Sequence, residues 1–368
     1  MVFNHKARER LWKNISVRHD MQYAPQCCII LVGDDMDMYV GTYTGKSDSR
    51  GIYRVRLLDD GRLSTPELIV ETRDPSYIAL SADGNSLFAV DEQQGQGGLV
   101  SFKKCAGKWL ECGRASSGGG WPCHVALSPD ESEIAVANFE DGTVAIGELS
   151  GGRLTGKVQS LPGRTDAPGT ERQECSHAHM CAFWFGRLLV CDLGCDMVRA
   201  FDKADGVWRE GEPFLRLPQG TGPRHMARGR CGAIYVLGEL DSRLHVFLPE
   251  GDSYRHAAAL PATVPDAHAD AAAVRVSKDG AHVLCSTRKD GRISIFDVDE
   301  HGMPHMTSSF DCGGSVPRDA DFTGEYIVCA CQSAGGIVSL RPDGRGGAQI
   351  VGRAMLGAPV CILNLDKE

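Results

Sequence analysis

The sequence has no apolar run long enough to cross a bilayer; its longest early apolar stretch, Cys27 to Gly33, is too short and too poorly placed even for a signal peptide. A membrane partner is therefore not expected, and a cytoplasmic protein is. Lysine and arginine never gather into a block, and 39 of them face 48 Asp and Glu for a net charge of −9. Without a continuous basic stripe the chain is not a general nucleic-acid binder, and any anionic partner has to be met by a local cationic pocket. No G-x-S-x-G turn is present, which removes the usual serine-hydrolase nucleophile. Paired Cys-x-x-Cys clusters are also missing. The 15 cysteines are scattered, many at strand-like positions such as Cys191, Cys285, Cys329 and Cys331, where cysteine serves as a small buried hydrophobe. No metal site and no cofactor are expected from these spacings.

What is abundant is glycine, 44 residues often paired with Asp, which points to frequent turns and an all-β chain. One pattern recurs at a period of roughly 42–55 residues. It starts at Pro75 (PSYIALSADGNSLFAVDE), Pro122 (PCHVALSPDESEIAVAN), His177 (HAHMCAFWFGRLLVCDLG), Pro223 (PRHMARGRCGAIYVLGEL), Ala271 (AAAVRVSKDGAHVLCSTR) and Pro317 (PRDADFTGEYIVCACQ). Each unit reads as a short apolar strand, a turn, a second β-rich strand, an alternating third and a weaker fourth, which is a propeller blade. A seventh unit begins at Pro359 and stops after one strand. The missing strands stand at the other end of the chain, Met38 to Thr44, Gly51 to Leu57 and Glu67 to Glu71. The sequence thus predicts a seven-bladed β-propeller over residues 37–368, closed by N-terminal strands that complete the last blade and leave no free edge. Residues 1–36 lie outside the repeat and read as a frayed leader.

In an antiparallel blade the start of the first strand and the end of the second lie at the same end of the sheet. Those positions hold His124, His179, His225 and Asp319 at first-strand starts, with Arg224 and Arg318 beside them. At second-strand ends they hold Glu92, Asn138, Asp192, Glu239, Arg288 and Gln332. Asn138 and Asp192 suit turns better than chemistry. His179, Arg224, Glu239 and Arg288 are the parts needed to open an ester without a covalent intermediate: a base for water and cations for the oxyanion. Further Arg and His side chains can hold a phosphate or carboxylate.

The segments VGTYTG (Val40 to Gly45), GIY (Gly51 to Tyr53), DPSYIALSADG (Asp74 to Gly84), WPCHVALSPD (Trp121 to Asp130), SHAH (Ser176 to His179), CDLGCDMV (Cys191 to Val198), TGPRH (Thr221 to His225), GEL (Gly238 to Leu240), STRKDGRISIF (Ser286 to Phe296) and GGSVPR (Gly313 to Arg318) closely resemble the propeller-type lactonase family. That family contains cycloisomerase-type bacterial 6-phosphogluconolactonases and a fungal carboxymuconate lactonizing enzyme. The resemblance implies a seven-bladed propeller that hydrolyses 6-phosphogluconolactone in the pentose phosphate pathway. It places the catalytic residues at His179, Arg224, Glu239 and Arg288; the expected substrate-binding residues beside them are His124, His177, His225, Arg318 and Gln332. The partner is then a small anionic sugar-phosphate lactone. Departures from the family pattern are Asn138-Phe139-Glu140-Asp141-Gly142, which puts two carboxylates near a mouth meant for an anion, Ser286-Thr287-Arg288-Lys289, and Ala273 where a Glu is frequent.

The expected mechanism has Glu239 activate water, or His179 if Glu239 is locked to an arginine, while Arg224 and Arg288 stabilise the oxyanion and Arg318 and His225 hold the phosphate. The polar insertion from Gly163 to Glu174 is a candidate lid. Alternatives on the same fold are a muconate-type cycloisomerase and another sugar lactonase. A non-catalytic interaction propeller should carry recurring Gly-His and Trp-Asp marks, which are absent. A calcium-dependent lactonase needs a cluster of oxygen ligands where this chain offers arginine and histidine.

Overall fold

The computed structural model of the chain describes residues 35–265 and 267–365, and the expected leader lies almost wholly outside them. Met36, its last residue, already belongs to the first strand. Seven sheets, six of them four-stranded and one five-stranded, follow each other in chain order. The first six blades run Ile78–Ser116, Pro122–Leu161, Ala178–Arg216, Pro223–Pro261, Ala271–Asp311 and Ser315–Ala354 when numbered from the first to the last residue of their strands. The seventh joins the C-terminal strand Pro359–Asn364 to Met36–Thr42, Gly51–Leu57 and Glu67–Glu71, as the repeat predicted. Its closing register pairs Met38 with Asn364 and Val40 with Ile362, so the ends of the chain are stitched by main-chain hydrogen bonds and no sheet edge opens between first and last blades.

The repeated Ser-x-Asp signature has a local cause. In the turn between first and second strands, Ser81 Oγ donates to Asp83 Oδ1 (2.5 Å), and that carboxylate accepts Asn85 N (2.9 Å). Ser128 with Asp130 (2.7 Å) and Ser277 with Asp279 (2.7 Å) repeat the bond. The following residue is left-handed, at φ 68 in Gly84 and φ 70 in Gly280, where glycine carries no steric cost; Glu131 holds the same conformation at φ 54. Second strands such as Leu188–Asp192 within Arg187–Asp192 are buried on both faces, and outer strands such as Lys108–Ser116 are largely exposed. The core therefore lies between neighbouring blades: Tyr235, Leu237 and Leu244 of the fourth pack against Val274, Val283 and Phe296 of the fifth.

Asp319 ties three blades at the inner wall. Its Oδ1 takes Arg275 Nη2 of the fifth blade at 2.6 Å, and its Oδ2 takes the amide of Ile362 in the seventh at 2.8 Å.

Candidate active site

The site is built on a recurring irregularity. At the start of the first strand in several blades the register slips by one residue, so that Pro122 and His124 pair across to Asn138 and Ala137 while Cys123 is passed over. The same slip passes over His179, Arg224, Arg318 and Val360. A bulge turns its extra residue out of the ladder and re-aims the side chain. All five bulged residues line one cavity, with Tyr43, Ser76, Tyr77, Glu92, His225 and Asp319 completing the wall.

Glu239 is not itself part of that lining, nor are Arg172 and Arg288; it meets the lining through Arg224. Its Oε1 receives Arg172 Nη2 at 2.5 Å and lies 2.9 Å from Arg288 Nη2; its Oε2 lies 3.0 Å from Arg224 Nε. Burial alone would raise its pKa, but Arg288 and Arg224, aided by His179 and Arg172, hold it well below the usual carboxylate range. The three contacts are not equivalent. Arg172 makes an aligned hydrogen bond, whereas Arg224 Nε and Arg288 Nη2, though close in distance, have no acceptor in line. Arg224 is fixed instead by donating Nη1 to the carbonyl of Ala272 (2.6 Å), and Arg288 by donating Nε to that of Asp270 (3.1 Å). Burial, with Arg318 and Arg288 nearby, lowers the Arg224 pKa to about 10, which leaves it charged at neutral pH.

His179 and His225 line the cavity, and His124 meets His225 without joining the lining. His179, His124 and His225 are buried, with ring centroids 5.3 Å apart for His179 and His225 and 5.7 Å for His124 and His225. Burial lowers all three pKa values, His124 to about 3 and the other two well below 6.5, so the rings are neutral at physiological pH. His124 is held by stacking on Tyr77 at 4.0 Å. The Nδ1 atoms of His179 and His225 are buried and have no hydrogen-bond partner. Unpaired buried polar atoms cost stability, and three of them, the Nδ1 atoms of His179 and His225 and Arg224 Nε, belong to residues that line the cavity, where a polar ligand can satisfy them.

Across the cavity, Tyr43 Oη donates to Glu92 Oε1 (2.9 Å), Ser76 Oγ also donates to Glu92, and the Arg318 guanidinium lies 5.4 Å over the Tyr43 ring. Burial works against the charge of Arg318, but Tyr43, Glu92 and Glu239 outweigh it and raise its pKa. Counting the cavity wall and the Glu239 cluster together, four guanidiniums (Arg172, Arg224, Arg288, Arg318) face two carboxylates (Glu239, Glu92), an excess of two positive charges. Asp319 and Arg275 cancel each other.

Besides Glu239, Arg288 and His124, two further expected residues stand outside the lining. His177 is stacked on Phe139 at 4.5 Å and bonded through Nδ1 to the Phe139 carbonyl (2.6 Å), outside the cavity lining; Phe139 in turn meets the edge of His179. Gln332, half-buried, is not part of the lining either. Glu239 lies against three arginines, the circumstance in which the expected mechanism passes the base to His179. The two carboxylates that threatened the mouth are spent on turns: Glu140 accepts the Gly95 amide (2.6 Å) and Asp141 the Thr143 amide (2.9 Å). Asn138 bonds the Ser117 carbonyl (2.8 Å), and Asp192 caps the Cys195 amide (3.2 Å), as turn residues should.

Sequence reasoning did not single out Arg172, Tyr43 or Tyr77. Arg172 arrives on the Gly163–Glu174 insertion. That segment is pinned where it leaves the blade by Arg199 Nη2 on the Pro162 carbonyl (2.8 Å), and where it returns by Gln173 Nε2 on the Leu193 carbonyl (2.8 Å). Tyr43 and Tyr77 sit inside the VGTYTG and DPSYIAL motifs, which were the available signal.

A propeller whose bulged strands aim His and Arg into a central cavity is the architecture of a lactonase, and residues 37–364 match the family described as lactonase, 7-bladed beta-propeller; the chain belongs to that family. Among its relatives, the 6-phosphogluconolactonase of Bacillus subtilis strain 168 is 28% identical over 341 residues, covering 88% of this chain and 97% of that one. A solved protein from Lactobacillus plantarum superposes with a TM-score of 0.82 at 25% identity, covering 90% of this chain and 100% of the other. The periplasmic gluconolactonase of Pseudomonas aeruginosa superposes at 0.81 with 24% identity, covering 90% and 99%. The family and the Bacillus relative support a lactonase. Among the described residues no helix is long and apolar enough to cross a membrane.

Proposed function

We propose that the protein is a carboxylic-ester hydrolase that opens 6-phospho-D-glucono-1,5-lactone to 6-phosphogluconate, the lactonase step of the pentose phosphate pathway, without a metal ion. The observation that carries this reading is the excess of two positive charges in the cavity wall and the Glu239 cluster beside it, together with buried polar atoms of the lining that lack partners, which suits a phosphate monoester of about −1.5 to −2 charge. The Bacillus relative bears the name of that activity.

In the proposed reaction neutral His179 takes a proton from water as the hydroxide adds to the lactone carbonyl. Arg224 Nε and Arg288 Nη2, free of in-line acceptors, receive the oxyanion. The intermediate collapses by breaking the bond from carbonyl carbon to ring oxygen, and the imidazolium returns its proton to the leaving alkoxide. Glu239 keeps the arginines in place and favours the transient charge on His179. Arg318 and His225 meet the phosphate. Cys191 and Cys285 are free thiols buried as small hydrophobes, which favours a reducing compartment and hence the cytoplasm, although one structural neighbour is named as periplasmic.

The test compares kcat/KM for the phosphorylated lactone and for glucono-1,5-lactone, each with and without a chelator. A preference for the phosphorylated substrate that survives chelation supports the reading; equal rates on both lactones move the substrate to an unphosphorylated sugar.

A further inference from the structure

Away from the cavity, three thiols meet in the core between the fifth and sixth blades. Cys329 and Cys331 lie on one face of the second strand of the sixth blade, Tyr326–Ala334, and Cys312 follows the last strand of the fifth. Cys329 Sγ and Cys331 Sγ are 3.7 Å apart, Cys331 Sγ and Cys312 Sγ 3.8 Å, and all three sulfurs lie within 4.8 Å of one another. Each residue is buried, and no histidine or carboxylate among the described residues joins the group.

The spacing is informative. A metal about 2.3 Å from each thiolate sets neighbouring sulfurs about 3.8–4.0 Å apart in tetrahedral or trigonal geometry. A disulfide needs only about 2.05 Å and two partners, so a third convergent sulfur has no role in it. We propose that Cys312, Cys329 and Cys331 form a buried three-thiolate site for a soft d10 metal ion, of the Cu(I), Zn²⁺ or Cd²⁺ class. The Gly314 amide donates to Cys312 Sγ at 3.4 Å, a backbone contact of the kind that stabilises a metal-bound thiolate. Occupancy would clip the connection between the blades to the sixth-blade strand. The connection enters the first strand of the sixth blade, Ser315–Thr323, where Val316 stands at φ 57, a strained conformation for a β-branched residue, and Pro317, registered against Cys331, precedes Arg318.

The experiment titrates reduced, metal-free full-length protein with Cd²⁺ while recording the ultraviolet thiolate-to-metal charge-transfer band; a parallel arm uses Cu(I) against a chromophoric Cu(I) chelator. The expected result is saturation at one ion per chain with a band intensity of three thiolates, and the arm that wins competition identifies the metal. Cys312→Ala should reduce the band to two thiolates and weaken binding by more than about a hundredfold, while Cys285→Ala, another buried cysteine, changes nothing. If Cys312→Ala does not fold, the wild-type band intensity still counts the ligands, and its collapse in urea shows that the folded cluster holds the ion. Absence of the band, a band unaffected by Cys312→Ala or by urea, or a Cys312–Cys331 disulfide in non-reducing peptide maps of the metal-free protein would each overturn the proposal.

Discussion

Arg172 Nη2 rests 2.5 Å from Glu239 Oε1 across 67 positions of chain, so a surface insertion completes the buried charge cluster. Arg172 is 43% exposed while Glu239 is 3% exposed, and solvent screening therefore discounts the contact on one side only. Replacing Arg172 by Ala should leave the fold unchanged in melting temperature to within a few degrees and lower kcat/KM by about tenfold, corresponding to roughly 1.4 kcal/mol. Steady-state kinetics beside a thermal melt checks this; an unaltered kcat/KM removes the insertion from the site.

The repeat made most of the fold legible because each blade rebuilds the same turn, with Ser81 and Asp83 answered by Ser128 and Asp130 and by Ser277 and Asp279. The ring position of His179, Arg224 and Arg318 was legible for the same reason, whereas the bulges that aim them were not, since a one-residue slip leaves no mark in composition. Arg172 and Cys312 were hidden because each reaches its partners from a connection outside the repeated strands. The number of arginines around Glu239 was not legible either, for the crowding of Arg172, Arg224 and Arg288 on one carboxylate is a three-dimensional fact.

His179 should govern turnover. His179→Asn is expected to lower kcat by about a hundredfold or more with a smaller change in KM. A variant with wild-type kcat would return the base to another group.

The three buried histidines also set an acid limit on stability. Their folded pKa values lie below 6.5, so in acid the unfolded chain binds protons that the folded protein refuses. Stability then rises with pH and is fully present above about pH 6.5; it is lost as pH falls, by up to about 1.4 kcal/mol per pH unit for each histidine, down to the folded pKa of about 3 for His124. Denaturant midpoints at about pH 7.5 and pH 5.5 measure this, with histidine proton shifts that do not titrate in the native spectrum. Equal midpoints contradict it.

Asp319→Ala strands Arg275 in the wall and removes the acceptor for the Ile362 amide. The expected loss is about 3–5 kcal/mol in equilibrium unfolding. Asp319→Asn, which keeps one acceptor oxygen, should recover part of it.

Arg318 separates binding from chemistry. Arg318→Ala should raise KM for the phosphorylated lactone by at least about tenfold while leaving KM for glucono-1,5-lactone within a factor of about two. Equal rises on both substrates would place the phosphate elsewhere.

Proton release, followed as purified wild-type protein and its His179→Asn variant act on freshly generated 6-phosphoglucono-1,5-lactone, decides between a lactonase and a different cavity ligand. Hydrolysis is expected far above the spontaneous rate for the wild type and near the spontaneous rate for the variant. Wild-type protein that fails to accelerate proton release would contradict the lactonase reading and leave the cavity to a different ligand.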